Sequence, residues 1–153
     1  MNTDQSSDIL VIGGGPAGIV AALTARRYYP EKSVLLAKSV ANGVVPCGIP
    51  YMAASLKSPE DNSLTSAPLL KNGVEVFCGE AVSLDRGLKL VCFADGSARG
   101  YKKLVLAAGS IPFMPRIPGS ELGGIFRIYK DLDLLKKMFA ALAGAENVAV
   151  LGG

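Results

Sequence analysis

Apolar residues along this chain recur in two rhythms, and each change of rhythm marks the border of a predicted element. From Asp8 the run ILVI enters a glycine turn, GGGPAG, after which the alanine-rich IVAALTARRYYP keeps a helical spacing until Pro30 stops it. The next run, Val34-Leu35-Leu36, is continuous rather than alternating, the pattern of a strand buried on both faces of a parallel sheet. Together these predict one βαβ unit. LTSAPLLKNG predicts a short helix stopped at Asn72-Gly73, residues that accept the left-handed conformation found at helix ends. Four further apolar runs, VEVFC, EAVSLD, LKLVCF and KKLVLAAG, are accompanied by the turn sequences DRG and ADGS. They predict an antiparallel meander, inserted before the chain returns to the parallel sheet at LVLAAGS.

The proline-rich IPFMPRIPG, residues 111 to 119, reads as an extended connection. YKDLDLLKKMFAALAG then sets Leu132, Leu135, Met138, Phe139 and Leu142 on one helical face, with Gly144 at its end. ENVAVLGG repeats the opening pattern of a strand running into glycines. The predicted fold is α/β: a Rossmann-like three-layer fold with a parallel sheet and an inserted antiparallel β-meander. Its expected parts are a nucleotide-binding domain over residues 1–115, a connection and helix over 116–145, and the start of a second dinucleotide-binding unit over 146–153. Most of that second unit is expected to lie outside this chain, which makes the chain an N-terminal fragment.

Gly13, Gly15 and Gly18 form G-x-G-x-x-G where the motif is informative, leaving a strand and opening a helix. Gly13 permits the tight turn, Gly15 lets the backbone approach a pyrophosphate, and Gly18 lets helix and strand pack closely. The helix N-terminus adds free N–H groups and a partial positive charge. An acid usually follows at the end of the second strand, where it binds a ribose hydroxyl. Here Ala37 and Lys38 occupy that place. Three readings remain open: water and backbone hold the ribose, Lys38 faces a phosphate, or the nucleotide binds weakly.

Composition narrows the chemistry. Half of the 153 residues are apolar, enough for a real core. The chain has no histidine, which removes Ser-His and Cys-His nucleophile pairs and histidine-ligated metals. Cys47, Cys78 and Cys92 lie too far apart for a zinc ribbon or a local dithiol, so sulfur chemistry rests on a lone thiol and no metal site is expected. The net charge of +3 is small and its charges are interspersed, which disfavours nucleic acid as a partner. No apolar run is long enough to span a membrane, and the N-terminal MNTDQSSD has no secretory character, so a cytoplasmic protein is expected.

Cys47 stands in VVPCGIPY between two prolines. If it lies at or near a helix N-cap, Gly48, Ile49 and Pro50 form the first turn, where proline is tolerated, and unpaired N–H groups favour the thiolate. Gly48 would then leave room for a flat ring or a substrate. The other reading is a small buried filler, the commonest fate of a free cysteine. Cys78 and Cys92, in apolar strand-like runs, read as such fillers. Tyr28, Tyr29 and Tyr51 read as packing residues.

These pieces resemble the two-dinucleotide-fold flavoproteins of the pyridine-nucleotide-disulfide oxidoreductase family. VIGGGPAG matches their FAD fingerprint, KLVLAAGSIP looks like their second flavin motif, and NVAVLGG looks like the start of their NAD(P)H domain. CGIPY is similar to the single-cysteine branch that contains coenzyme A disulfide reductases and NADH oxidases. Two departures are Ala108, where the second flavin motif commonly has threonine, and Ala37, which replaces the usual acid. The resemblance implies FAD held by the 1–115 domain, with Gly13, Gly15, Pro16, Ala17, Gly18, Ala37, Lys38, Val82, Ala108 and Gly109 as cofactor-binding residues. It implies NADH or NADPH as electron donor and Cys47 as the catalytic thiol.

The implied reaction is reduction of a disulfide, a persulfide or dioxygen, with a small thiol or disulfide as partner and a homodimer as the full-length enzyme. Arg26, Arg27 and Lys71 are candidate contacts to the phosphates of a carrier substrate, although a solvated helix end or plain surface charge is the simpler reading of such residues. Two alternatives stand beside this reading: an FAD-dependent reductase passing electrons to a protein partner without cysteine chemistry, and a non-catalytic nucleotide-binding module. The fragment alone is expected to be inactive.

Overall fold

The ILVI run lies in strand β1 (Ser6–Ile12), the alanine-rich stretch is helix α1 (Pro16–Tyr28), and VLLAK is β2 (Val34–Lys38). The computed structural model describes residues 6–152, so the expected domain limits at residues 1 and 153 fall outside the described residues. Next come β3 (Gly43–Val44), a 3-10 turn over Pro46–Gly48 that runs into α2 (Ile49–Met52), a second 3-10 turn over Pro59–Asn62, and β4 (Ser63–Leu64). Then follow α3 (Ala67–Lys71), β5 (Glu75–Cys78), β6 (Ala81–Asp85), β7 (Leu90–Phe93), β8 (Ala98–Leu106) and α4 (Leu132–Ala143).

The chain divides into two units, one formed by the residues up to Gly43 with Leu64–Gly109, the other by Val44–Ser63 with the residues from Ser110 onward. In the first unit six strands make one sheet in the order β5-β2-β1-β8-β7-β6. β1 is parallel to β2, from Ile9↔Val34 to Ile12↔Ala37, and to β8, from Ser6↔Gly100 to Ile12↔Leu106. β7 is antiparallel to both β6 and β8, which gives the expected meander. VEVFC does not belong to it. As β5 it pairs in parallel with β2, Leu35↔Glu75 through Lys38↔Cys78. The reason is the intervening helix: α3 closes on Gly73 at φ +71, with Val74 N–H donating to Leu69 O, and so returns the chain in the direction of β2.

Strand alternation sends side chains to two cores. Val11, Val34 and Leu36 pack under the helices with Ala22, Leu69 and Val74. Leu10, Ile12, Leu35 and Ala37 pack with Val91 and Phe93 of β7, where Phe93 meets Phe77 edge to face at 4.8 Å. Helices, parallel strands and meander thus make the three layers. In the second unit, α4 buries Leu132, Leu135 and Met138 against Val44, Ile49 and Met52, with Phe139 and Leu142 at the margin, as the helical spacing predicts. Asp131 caps α4 by accepting from the N–H groups of Asp133 and Leu134. Gly144 ends it at φ −101, without the left-handed stop expected there.

Within ENVAVLGG, residues 146–152 form no strand. Val148, Val150 and Leu151 are exposed, and among the described residues no other strand pairs with this segment to satisfy its backbone N–H and C=O groups. Among the described residues no helix is long and apolar enough to cross a membrane.

Two ion pairs tie elements together and set an acid limit. Lys102 Nζ lies 2.7 Å from Asp8 Oδ1, and Ser33 N–H donates to Asp8 Oδ2 at 2.9 Å. The Lys102 ammonium first, then the Ser33 amide, hold the Asp8 carboxyl at about 2, below its ordinary 3.8. Lys136 of α4 pairs with Glu60, whose carboxyl also accepts from Ser58 Oγ, and these hold it at about 2 against an ordinary 4.5. Both folded-state values are lowered, so the stabilisation is complete above 4.5 and is lost as the pH falls towards 2. Melting temperature is expected to drop across that interval, and to drop less in the double variant Asp8→Asn, Glu60→Gln. An equal drop in both proteins would assign the acid loss to other groups.

Candidate functional site

In the first unit the glycine turn is clamped between strand ends. Gly13 N–H donates to Ala37 O and Ala107 N–H donates to Ile12 O, both at 2.8 Å. Gly13 sits at φ +121, and a β-carbon there would lie 2.1 Å from Ala107 O. Gly18, in the first turn of α1, is pressed onto the turn itself, since its β-carbon would lie 1.9 Å from Gly13 O. Gly15 is different. Nothing lies within 4 Å of where its side chain would point. Two glycines are therefore required by packing, and the third faces open space.

Gly15 is also the N-cap of α1, without a side-chain cap, and Pro16 opens the helix with no acidic residue in the first turn. The first-turn N–H groups of Ala17 and Gly18 have no intrahelical acceptor, and the positive end of the helix is not neutralised. Open backbone beside free amides fits the pyrophosphate of a dinucleotide. Ala107 O and Ala108 N border the same turn, near where a Gly13 side chain would stand, and Gly109 follows at φ +72 with open space around it.

The ribose position resolves differently for its two residues. Ala37 is 1% exposed and belongs to the core, and its carbonyl is taken by Gly13, so its side chain offers nothing to a ligand. Lys38 lays its stem across Gly14, where a β-carbon would come within 2.7 Å of Lys38 Cβ, and its Nζ donates to Ala41 O at 2.8 Å. Sequence reasoning missed this role for Gly14; the run of three glycines, where the motif needs two, is its signal. Val82 is the extra residue of a bulge, since Ala81 faces Phe93 while Ser83 already faces Cys92. Its backbone is thereby left out of the ladder, on the outermost strand of the sheet.

Arg27 and Lys71 lie elsewhere. Both are exposed near helix C-termini, and Arg27 is twelve residues beyond Gly15, roughly 18 Å along the axis of α1. Arg26 is committed to the fold: Nη1 donates to the carbonyls of Pro30 at 2.7 Å and Lys32 at 3.1 Å, and Nε to Asn72 O at 3.2 Å. Arg26→Ala is expected to lower stability by about 1–2 kcal/mol in denaturant melts. An unchanged midpoint would show that these three bonds contribute nothing net.

In the second unit, Cys47 is exposed on the Pro46–Gly48 turn. Val45 is the N-cap of that turn and Pro46 its first residue, so the sulfur stands two places inside the cap; Pro46 there and Pro50 in the first turn of α2 both fill positions that tolerate a missing N–H. Gly48 does not leave an approach open. Its α-carbon lies flush against Asn62, whose Oδ1 would be 1.9 Å from a β-carbon there. Asn62, 5% exposed, donates from Nδ2 to Val45 O at 3.0 Å and to Met52 Sδ at 3.1 Å, and its carbonyl accepts from Val45 N–H at 3.0 Å. Nothing in the local sequence marks it.

Other expectations need correction. Cys78 is exposed because it ends an edge strand, and Cys92 is half-buried on β7. Tyr28, Tyr29 and Tyr51 are each more than half exposed and are not packing residues.

A parallel sheet whose first strand turns through clamped glycines into an uncapped helix defines a dinucleotide-binding fold. The chain belongs to the pyridine nucleotide-disulphide oxidoreductase family, whose model matches residues 7–153. It is 30% identical to the NAD(P)H coenzyme A polysulfide/persulfide reductase of Pyrococcus horikoshii, over 100% of this chain and 36% of that protein. It is 30% identical to the NADH oxidase of Methanocaldococcus jannaschii, over 94% of this chain and 34% of that protein. Among solved structures, the NAD-dependent persulfide reductase from A. fulgidus superposes with a TM-score of 0.79 at 27% identity, covering 90% of this chain and 28% of that one. The chain thus spans about a third of the length of the curated relatives it matches. Members of the family are FAD-dependent and use NAD(P)H.

Proposed function

We propose that this chain is the N-terminal, FAD-binding portion of an NAD(P)H-dependent oxidoreductase that reduces a disulfide, a persulfide or dioxygen through one cysteine. The observation that carries the reading is the exposed sulfur of Cys47 at the head of a tight turn, in a chain whose other unit holds an open glycine cradle. In this reading the pyrophosphate rests on Gly15 and the amides of Ala17 and Gly18, and Gly13 and Pro16 shape that surface. Lys38 borders the ribose with its two remaining N–H donors, Ala108 and Gly109 line the far side of the turn, and Val82 offers bulged backbone. Arg27 and Lys71 are the candidate contacts for carrier phosphates. The whole enzyme is then a cytoplasmic homodimer.

FAD, when bound, supplies the electron pair, received from NAD(P)H as a hydride. For a disulfide, the Cys47 thiolate attacks one sulfur; a new S–S bond forms as the old one breaks, and the departing thiolate takes a proton. Two electrons and one proton then convert the mixed disulfide to the Cys47 thiolate and a second thiol. The test uses a polypeptide extending to the length of the relatives. Reconstituted with FAD, it should release two thiols from coenzyme A disulfide per NAD(P)H consumed. FAD uptake with no thiol, persulfide or dioxygen turnover would favour a module without catalysis.

A further inference from the structure

We infer that Asn62 is a positioning residue for Cys47, holding the cysteine turn from before, beside and behind the sulfur. This deepens the reading of Cys47 as the redox thiol and rests on it. Both backbone polar groups of Val45, the residue that caps the turn, are bonded to Asn62: its N–H donates to the Asn62 main-chain carbonyl, and its C=O accepts from the side-chain Nδ2, each at 3.0 Å. Gly48, the residue after the sulfur, is packed against the same amide so closely that any side chain would strike Oδ1 at 1.9 Å. Met52, at the end of the short helix that follows, receives the second Nδ2 contact at 3.1 Å.

One side chain therefore fixes three points around a sulfur that is itself exposed. A buried amide is costly unless its bonds are made, and here both Nδ2 bonds, to Val45 O and Met52 Sδ, end on the segment that carries Cys47. The turn is too short to hold its own geometry: it is a single 3-10 turn joined to four helical residues, well below the length at which helices stabilise themselves. Its orientation must come from outside: α4 packs against Ile49 and Met52, which follow Cys47, and Asn62 holds Val45 and Gly48, which flank Pro46 and Cys47. Sulfur exchange requires an in-line approach, so a loosened turn slows attack more than it weakens binding.

The experiment compares Asn62→Ala, Gly48→Ala, their double variant and Cys47→Ser in the protein of the relatives' length. Three quantities are read: kcat and KM for disulfide reduction, FAD content, and reduction of ferricyanide, which takes electrons from flavin without a thiol. Asn62→Ala and Gly48→Ala are each expected to lower disulfide kcat at least tenfold, with KM changed less than twofold and with ferricyanide turnover and FAD content retained. The double variant should be no worse than Asn62→Ala, because the β-carbon at position 48 then has no amide to displace. If Asn62→Ala does not fold, Gly48→Ala carries the same test from the other side of the contact. Wild-type kcat in the single variants, or an equal fall in ferricyanide turnover, or additive losses in the double variant, would overturn the role of Asn62. Cys47→Ser keeping its disulfide activity would instead overturn the reading beneath it.

Discussion

Cys47→Ser is expected to cut disulfide or persulfide reduction by about a thousandfold or more, while FAD content and ferricyanide reduction stay near wild type. A serine hydroxyl is not ionised at neutral pH and forms no bond that a second thiolate or an electron pair can reversibly open, so the exchange sequence stops at its first step. The substitution changes one exposed atom, and such surface changes usually alter stability by no more than about 0.5 kcal/mol. Loss of turnover without loss of flavin therefore reports chemistry rather than folding. If the serine variant reduced coenzyme A disulfide at the wild-type rate, electrons would be leaving the flavin by another route, and transfer to a protein partner would become the better account.

The second large effect lies in the glycine turn, where two substitutions separate architecture from ligand. Gly13→Ala would put a methyl group 2.1 Å from the Ala107 carbonyl, at a φ of +121 that L-residues rarely adopt. Neither backbone can retreat, because Gly13 N–H is bonded to Ala37 O and Ala107 N–H to Ile12 O. A loss on the order of 3–5 kcal/mol is expected, read as a large fall in the denaturation midpoint together with loss of FAD. Gly15→Ala meets nothing within 4 Å and keeps an ordinary φ of −79, so it should fold normally. It should nonetheless weaken FAD at least tenfold, because the methyl occupies the space assigned to the pyrophosphate. Titration of apoprotein with FAD decides the point, and unchanged affinity in Gly15→Ala would remove the pyrophosphate from that face.

What the sequence disclosed follows from the range of the interactions involved. The βαβ unit, the meander hairpins and the buried face of α4 are written in local periodicity, and Leu132, Leu135 and Met138 are buried where their spacing places them. Strand partnership is not local. VEVFC has the same apolar character as the meander runs, and only the crossover through α3 makes it the parallel edge strand, which in turn brings Cys78 into the open. ENVAVLGG has the pattern of a strand, yet a strand exists only where another lies beside it. At the candidate site, Gly13 and Gly18 were legible because their spacing is a motif. Asn62 was not, because its contact with Gly48 joins residues fourteen apart through no pattern. The arginines at the end of α1 show the same limit: Arg26 and Arg27 are adjacent in sequence, but one is locked on three carbonyls and the other is exposed.

The paired bonds between Val45 and Asn62 have an evolutionary corollary. They fasten the two ends of an eighteen-residue loop at its neck, and the stretch from Ala53 to Lys57 beyond the clasp holds no helix or strand and is anchored to the core at Leu56. Insertions there would cost only about 0.6 kcal/mol for each doubling of loop length, and the sulfur would keep its place. Within such a loop, length and sequence can change while the position of Cys47 stays fixed.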